Sequence, residues 1–182
     1  MFIVSDLLDL AIGSDGFGPK NFGEEPSSAV SAIQSGLTLL AGMLLLIGLA
    51  GLYIRQLEDG GLLGMVGFLV AFCGTVMAVG TFWADAFVAP SLAREELRLL
   101  DGAPPRALAA GFTLSYGSVA LGWLLFGLAT LRTGIYPRPA SILLLIGAAL
   151  TWLPLPLSGV PFSVAVAWIG YALFSEKDAP SE

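Results

Sequence analysis

Residues 60–85 read GGLLGMVGFLVAFCGTVMAVGTFWAD, with no charge before Asp85. Leu62 to Thr81 alone supplies the ~20 apolar residues with which a helix crosses a ~30 Å hydrocarbon core. The reading is a membrane-spanning helix from about Leu62 to Ala84. Small residues recur along it at Gly60, Gly64, Gly67, Ala71, Gly74, Ala78 and Thr81, at alternating spacings of four and three. That repeat keeps them on one face of a helix. In lipid, helices attract one another through close van der Waals approach, which small residues permit. The face therefore reads as a helix-packing seam. Its next step of four lands on Asp85, a carboxylate on the packing side about one turn beyond the crossing.

The composition points the same way. Of 182 residues, 56% are hydrophobic and 12% charged, with a mean hydropathy of +0.85. Soluble domains carry about 25% charged residues, so this chain has too few to wet a water-facing exterior and reads as a polytopic membrane protein. The formal net charge of −6 argues against nucleic acid and against a polybasic lipid-binding surface. The opening MFIVSDLLDL has no basic segment and is interrupted by Asp6 and Asp9, unlike a cleavable secretory signal. Cys73 is the single cysteine, so no intrachain disulfide forms, and it reads as a small core residue. There is no histidine, which removes His-ligated haem, most zinc and di-iron arrangements and His-activated nucleophiles. No cofactor and no metal is expected.

Working outward, residues 1–30 form a polar lead-in, with Met1–Ile12 a candidate amphipathic helix and 13–26 irregular. A first span runs from about Gly36 to Ile54 and a third from about Ala107 to Leu131. Between the second and third, SLAREELRLLDG reads as a surface helix with Ser91 as its N-cap and Gly102 closing it. The stretch Ala140–Phe174 holds 35 residues without a charge, too long for one crossing. LPLPLSGVP at 153–161 cannot easily continue a helix, because proline removes donors and clashes with the preceding turn. Two short helices, about 140–156 and 160–174, are expected, with a re-entrant segment as the alternative. The expected fold is all-α: an integral membrane helical bundle over 31–175 of about five transmembrane helices, the last two short, with an amphipathic surface helix between spans 2 and 3. A tail follows at 176–182.

Five crossings place the N-terminus, the 85–106 linker and the 153–161 turn on one side, the linker side. Basic residues divide evenly: Lys20, Arg94, Arg98 and Arg106 against Arg55, Arg132, Arg138 and Lys177. Arg55, Arg132 and Arg138 flank spans most closely, which leans the C-terminus inward. Span, glycine–leucine and arginine turn recur from Gly51 and from Gly127, 76 residues apart, as in two similar hairpins or as chance between apolar segments.

A candidate site follows from where polar groups fall. They concentrate in the linker-side halves of the spans, at Gln34, Ser35, Thr38, Thr81, Asp85, Thr113, Ser115, Tyr116, Ser118, Thr151, Ser158 and Ser163, whereas the opposite halves are nearly pure aliphatic. The third span has its own small row at Gly111, Ser115, Ser118 and Gly122. The plain interpretation is aromatic belts with interhelical hydrogen bonds, and an interfacial Asp85 that stays hydrated or pairs with Arg94. The functional one is a shallow polar vestibule lined by Asp85, Gln34, Tyr116 and Trp83, binding a cation, a proton or a polar ligand. No GxSxG, Walker A, HExxH or CxxC occurs. DGAPPRA at 101–107 resembles the opening of the CDP-alcohol phosphotransferase signature, but its arginine stands one place late and the downstream aspartates are absent.

The segments GLYIRQ, GFLVAFCGTVMAVGTFWADAFVAPSLA and FGLATLRTGIYPR resemble a group of small bacterial polytopic membrane proteins of four or five spans. Their W-x-[DE]-A-F-V-x-P element matches Trp83–Pro90. The resemblance covers most of 36–175 and implies a bacterial inner or plasma membrane location, with no assigned activity. Two functions are carried forward. One is a non-enzymatic accessory or structural subunit, its glycine seams docking on another membrane protein or on a second copy. The alternative is a small-ligand or lipid binding or transport component using the vestibule. The bilayer is the one environment both require.

Overall fold

The computed structural model describes residues 29–95, 105–152 and 159–177, all of them helices and short turns. Helix α1 spans Ala29–Gln56 and α2 spans Gly61–Trp83; a π-helical turn, Ala84–Val88, joins α2 without a break to α3, Ala89–Glu95. Helix α4 is Arg106–Thr133, α5 is Arg138–Leu150 and α6 is Gly159–Lys177. Three stretches, Ile33–Gln56, Gly61–Leu92 and Arg106–Thr133, are long and apolar enough to cross a membrane. The lead-in at 1–28, the linker at 96–104, the prolines at 154 and 156 and the tail at 178–182 lie outside the described residues. So do the expected Met1–Ile12 helix and the expected close of the surface helix at Gly102.

Each turn has a local cause. Helix α1 stops where the Gly60 N–H donates to the Gln56 carbonyl at 2.8 Å. The chain then reverses through Gly61 at φ +52°, a backbone state that costs glycine little. Helix α4 ends on Gly134 at φ +66°, whose N–H donates to the Thr130 carbonyl, the left-handed cap that satisfies a terminal carbonyl. Pro137 precedes α5, with Pro139 in the first turn, where a proline's missing N–H costs nothing. Pro161 occupies the same harmless place in α6.

Two helices differ from expectation. Helix α5 ends at Leu150 rather than about 156; Pro154 disfavours helical backbone at the residue before it, so the helix has little room to continue. At 13 residues it is about 20 Å long. Second, the helix expected to end near Ala84 runs on through Pro90, and Ser91 is an interior residue rather than an N-cap. Its hydroxyl donates back to the Phe87 carbonyl at 2.7 Å.

The π turn explains how the helix carries a proline. In an α-helix the Pro90 ring would press on the Ala86 carbonyl. Here the Ala89 N–H instead reaches five residues back to the Ala84 carbonyl. The extra residue widens the turn just ahead of the ring.

Packing is dominated by the antiparallel pair α2 and α4, with α1 on α2, α5 on α4 and α6 on α5. The row on α2 faces α4 almost throughout. A Cβ on Gly67 would lie 2.5 Å from the Phe126 backbone nitrogen, and one on Gly74 2.5 Å from that of Val119. Gly122 meets the Ala71 backbone in the reverse direction, and Ala78 is buried with them. Gly64 lies between the Gln56 amide and Ala129, while Gly60 sits in the turn against Gln56 itself. Cys73, expected in the core, is exposed, because it falls on the face of α2 opposite that row. The main core joins Leu49 and Leu52 of α1, Ala71, Trp123 and Phe126, Leu144 and Phe162. Trp123 is fully buried, its ring edge-on to Phe162 at a centroid distance of 4.9 Å and its indole N–H donating to Thr75 Oγ1 at 3.4 Å.

Candidate functional site at the π turn

Gly42 of α1 faces Val79 and Phe82 of α2, and Tyr53 stacks on Phe68 at 4.1 Å. That antiparallel register carries Gln34 to the level of the π turn, against which α1 packs. Gln34 is 5% exposed and Asp85 partly buried. Tyr116, on α4 and also partly buried, lies within electrostatic reach of the Asp85 carboxylate. Three helices thus bring an amide, a carboxylate and a phenol to one end of the bundle.

Beneath them lies an apolar floor. Leu39, Ala78 and Phe82 form a small buried cluster with Val79, Ala86 and Val119 packed against it. It lies between the polar end and the main core of the bundle. Beside Tyr116, Gly117 has no side chain where the Trp152 ring rests; a Cβ there would lie 3.1 Å from the ring. Trp152 thereby spreads over the α4 backbone as a partly exposed aromatic rim.

Trp83 does not join this group. It is 52% exposed and leans on Phe87 at a centroid distance of 5.8 Å, so its ring lies on the outer surface. Several hydroxyls named from the sequence bond within their own helices. Thr38, Thr81, Thr113 and Ser115 each donate to the carbonyl four residues back, a local bond that competes with wider networks. The side chain of Arg94 lies outside those described. Among the described residues no group of three or more His, Cys, Asp and Glu comes together as a metal site.

The opposite end is less purely aliphatic than the sequence suggests. Gln56 closes α1 fully buried, and its Oε1 accepts from Thr130 Oγ1 at 3.0 Å. The same hydroxyl lies 2.9 Å from the Phe126 carbonyl. The Tyr136 hydroxyl donates to the Leu52 carbonyl at 3.1 Å. Gln56 Nε2 at this end, and Ser163 Oγ near the start of α6 at the other, are buried without a hydrogen-bond partner among the described residues. The sequence held one signal for Gln56. It extends the apolar row Leu45, Leu49, Leu52 by a further step of four, although its place beside Arg55 reads as a turn. Compared with protein-family models, with curated proteins and with solved structures, the chain shows no match.

Proposed function

We propose that this is a multi-pass membrane protein that binds a small cationic or polar ligand at Asp85, Gln34 and Tyr116. The observation that carries the reading is the π turn beginning at Ala84. It holds a partly buried ionisable side chain at the end of a long apolar helix, where Gln34 and Tyr116 of two other helices also lie. π-Helical insertions cost backbone regularity and recur at functional sites. An ionisable group kept at the end of a membrane helix is costly unless it is paired or used. The role is binding or transport rather than catalysis: the chain has no histidine, and the described hydroxyls mostly bond their own helices. In this reading α5 and α6 cross as a short hairpin, making five crossings, and the membrane is a bacterial inner or plasma membrane.

An accessory-subunit role has less support. The seam residues that would dock on a partner, Gly67, Ala71 and Gly74, lie against α4 of the same chain. The test is native extraction into lipid nanodiscs, wild type beside Asp85→Asn, with mass spectrometry of everything that co-purifies. A small molecule or lipid enriched on the wild type and lost from the variant, at equal expression, is the expected result. A partner protein at fixed stoichiometry with both forms would overturn the reading in favour of a subunit role.

A further inference from the structure

Two tryptophans on the outer surface face the same end of the bundle, Trp83 at the close of α2 and Trp152 just after α5, at 52% and 54% exposure. Indole rings of membrane proteins settle at headgroup level. Each ring therefore marks where the bilayer surface meets its own flank of the bundle. The two marks lie at different heights. Gly67 meets Phe126 and Gly74 meets Val119, and that antiparallel register, carried to the end of α2, sets Trp83 level with Ala110 of α4. The Trp152 ring rests on Gly117, about 10 Å deeper along the same helix.

The far end of the bundle supplies a common reference. Gly127 packs on Leu144 and Leu145, and Gly147 on Phe162. Those registers bring Arg132, Arg138 and the exposed Tyr171 to one height. From there α4 runs about 33 Å to the level of Trp83 but only about 22 Å to that of Trp152. The first length suits a ~30 Å hydrocarbon core, and the second falls well short of it. A tilt of the whole bundle that raised Trp152 to the height of Trp83 would draw Arg138 into hydrocarbon, where a charge is costly.

We propose that the α5–α6 flank associates with a locally thinned bilayer, whose linker-side leaflet dips by about 10 Å toward Trp152 and keeps its ordinary height at Trp83. A span shorter than the hydrocarbon beside it is accommodated by thinning at modest cost. The partner is the lipid itself, and lipids with short acyl chains fit this flank best. The inference rests on α5 and α6 crossing as a hairpin and is independent of any ligand at Asp85.

The test is depth-dependent quenching of tryptophan emission, with the full chain in phosphatidylcholine bilayers brominated at shallow or at deep acyl carbons. Trp168→Phe is combined with Trp83→Phe to isolate Trp152, or with Trp152→Phe to isolate Trp83. Trp123, fully buried, adds an unquenched baseline to both. The two surface rings are expected to share one shallow-to-deep ratio, shallow bromines quenching each severalfold more than deep ones. Preferential quenching of Trp152 by deep bromines, with Trp83 still shallow, means a flat bilayer and overturns the inference. In that case labelling of Ser158→Cys from the linker side would leave the five crossings standing without it. Tyr171→Trp, in a chain carrying all three phenylalanine substitutions, reports tilt: it stays shallow if the leaflet thins, and deep quenching there overturns the proposal. The wild type gives a check free of substitutions. Its thermal unfolding midpoint should be higher in short-chain than in long-chain phosphatidylcholine, and the reverse order would equally refute the thinning.

Discussion

Gln56 and Asp85 stand at opposite ends of the bundle and show how differently a polar side chain can be accommodated among apolar helices. Gln56 is fully buried and half satisfied: Thr130 occupies its oxygen while its nitrogen faces Gly60 and Gly64. Replacing Thr130 by Val strips the remaining bond and leaves the whole amide unpaired. An interhelical hydrogen bond inside a membrane protein contributes roughly 0.6–2 kcal/mol, so Thr130→Val is expected to lower stability by about 1 kcal/mol. Gln56→Leu removes the unpaired nitrogen together with the bond, and elimination of both partners' demands can be nearly neutral. Thermal unfolding in one detergent should therefore rank Gln56→Leu above Thr130→Val; the reverse order would mean that the amide is satisfied in some other way.

Among the elements, α2 depends most on what its glycines lack. Gly67 and Gly80 lie on the same helix, yet an added Cβ would meet the Phe126 backbone at 2.5 Å in one case and nothing within 4 Å in the other. Backbone cannot move aside as the end of a flexible side chain can. Gly67→Ala should therefore destabilise by about 1–3 kcal/mol, the usual cost of overpacking. Gly80→Ala should be neutral or stabilising by up to roughly 1 kcal/mol, since glycine weakens a helix interior. Equal losses at the two positions, measured by thermal unfolding, would show that α2 does not pack on α4 through this row. The π turn extends the same helix. By admitting Pro90 it carries α2 on into α3 and keeps Asp85 within a continuous rod rather than in a loose linker.

For the molecule as a whole, the placement of α5 and α6 relative to the bilayer sets the number of crossings. Helix α5 is about 20 Å long, yet Trp152 just beyond it reaches Gly117, on the same half of α4 as Tyr116. The hairpin therefore spans most of the depth of its neighbour. If the chain crosses five times, as proposed, residues 153–158 are exposed on the linker side. In a Cys73→Ala background, Ser158→Cys and Ala103→Cys should react with a membrane-impermeant thiol reagent from the same face. Protection of Ser158→Cys from both faces, with Ala103→Cys labelled, would make the hairpin re-entrant.

Much of this architecture was legible from residue types alone. The lack of charge and the long apolar runs identify a membrane bundle because hydrocarbon offers no hydrogen-bonding partners, so each crossing must satisfy its own backbone as a helix. That constraint acts within a segment and leaves its mark there. The heptad spacing of small residues is likewise written along one helix. Which residue meets which was decided only when the helices came together. Trp83 turns outward and Cys73 is exposed, whereas Gln56, beside an arginine, is buried, because a neighbouring helix covers one face and leaves another bare. The hydroxyls of Thr38, Thr81, Thr113 and Ser115, which the sequence places among the polar groups of the linker side, donate to carbonyls four residues back in their own helices. The span that ends near Ala84 in sequence runs on to Glu95 in three dimensions, because the wider π turn admits Pro90, and Asp85 stays on a helix at the end of the bundle that also holds Tyr116.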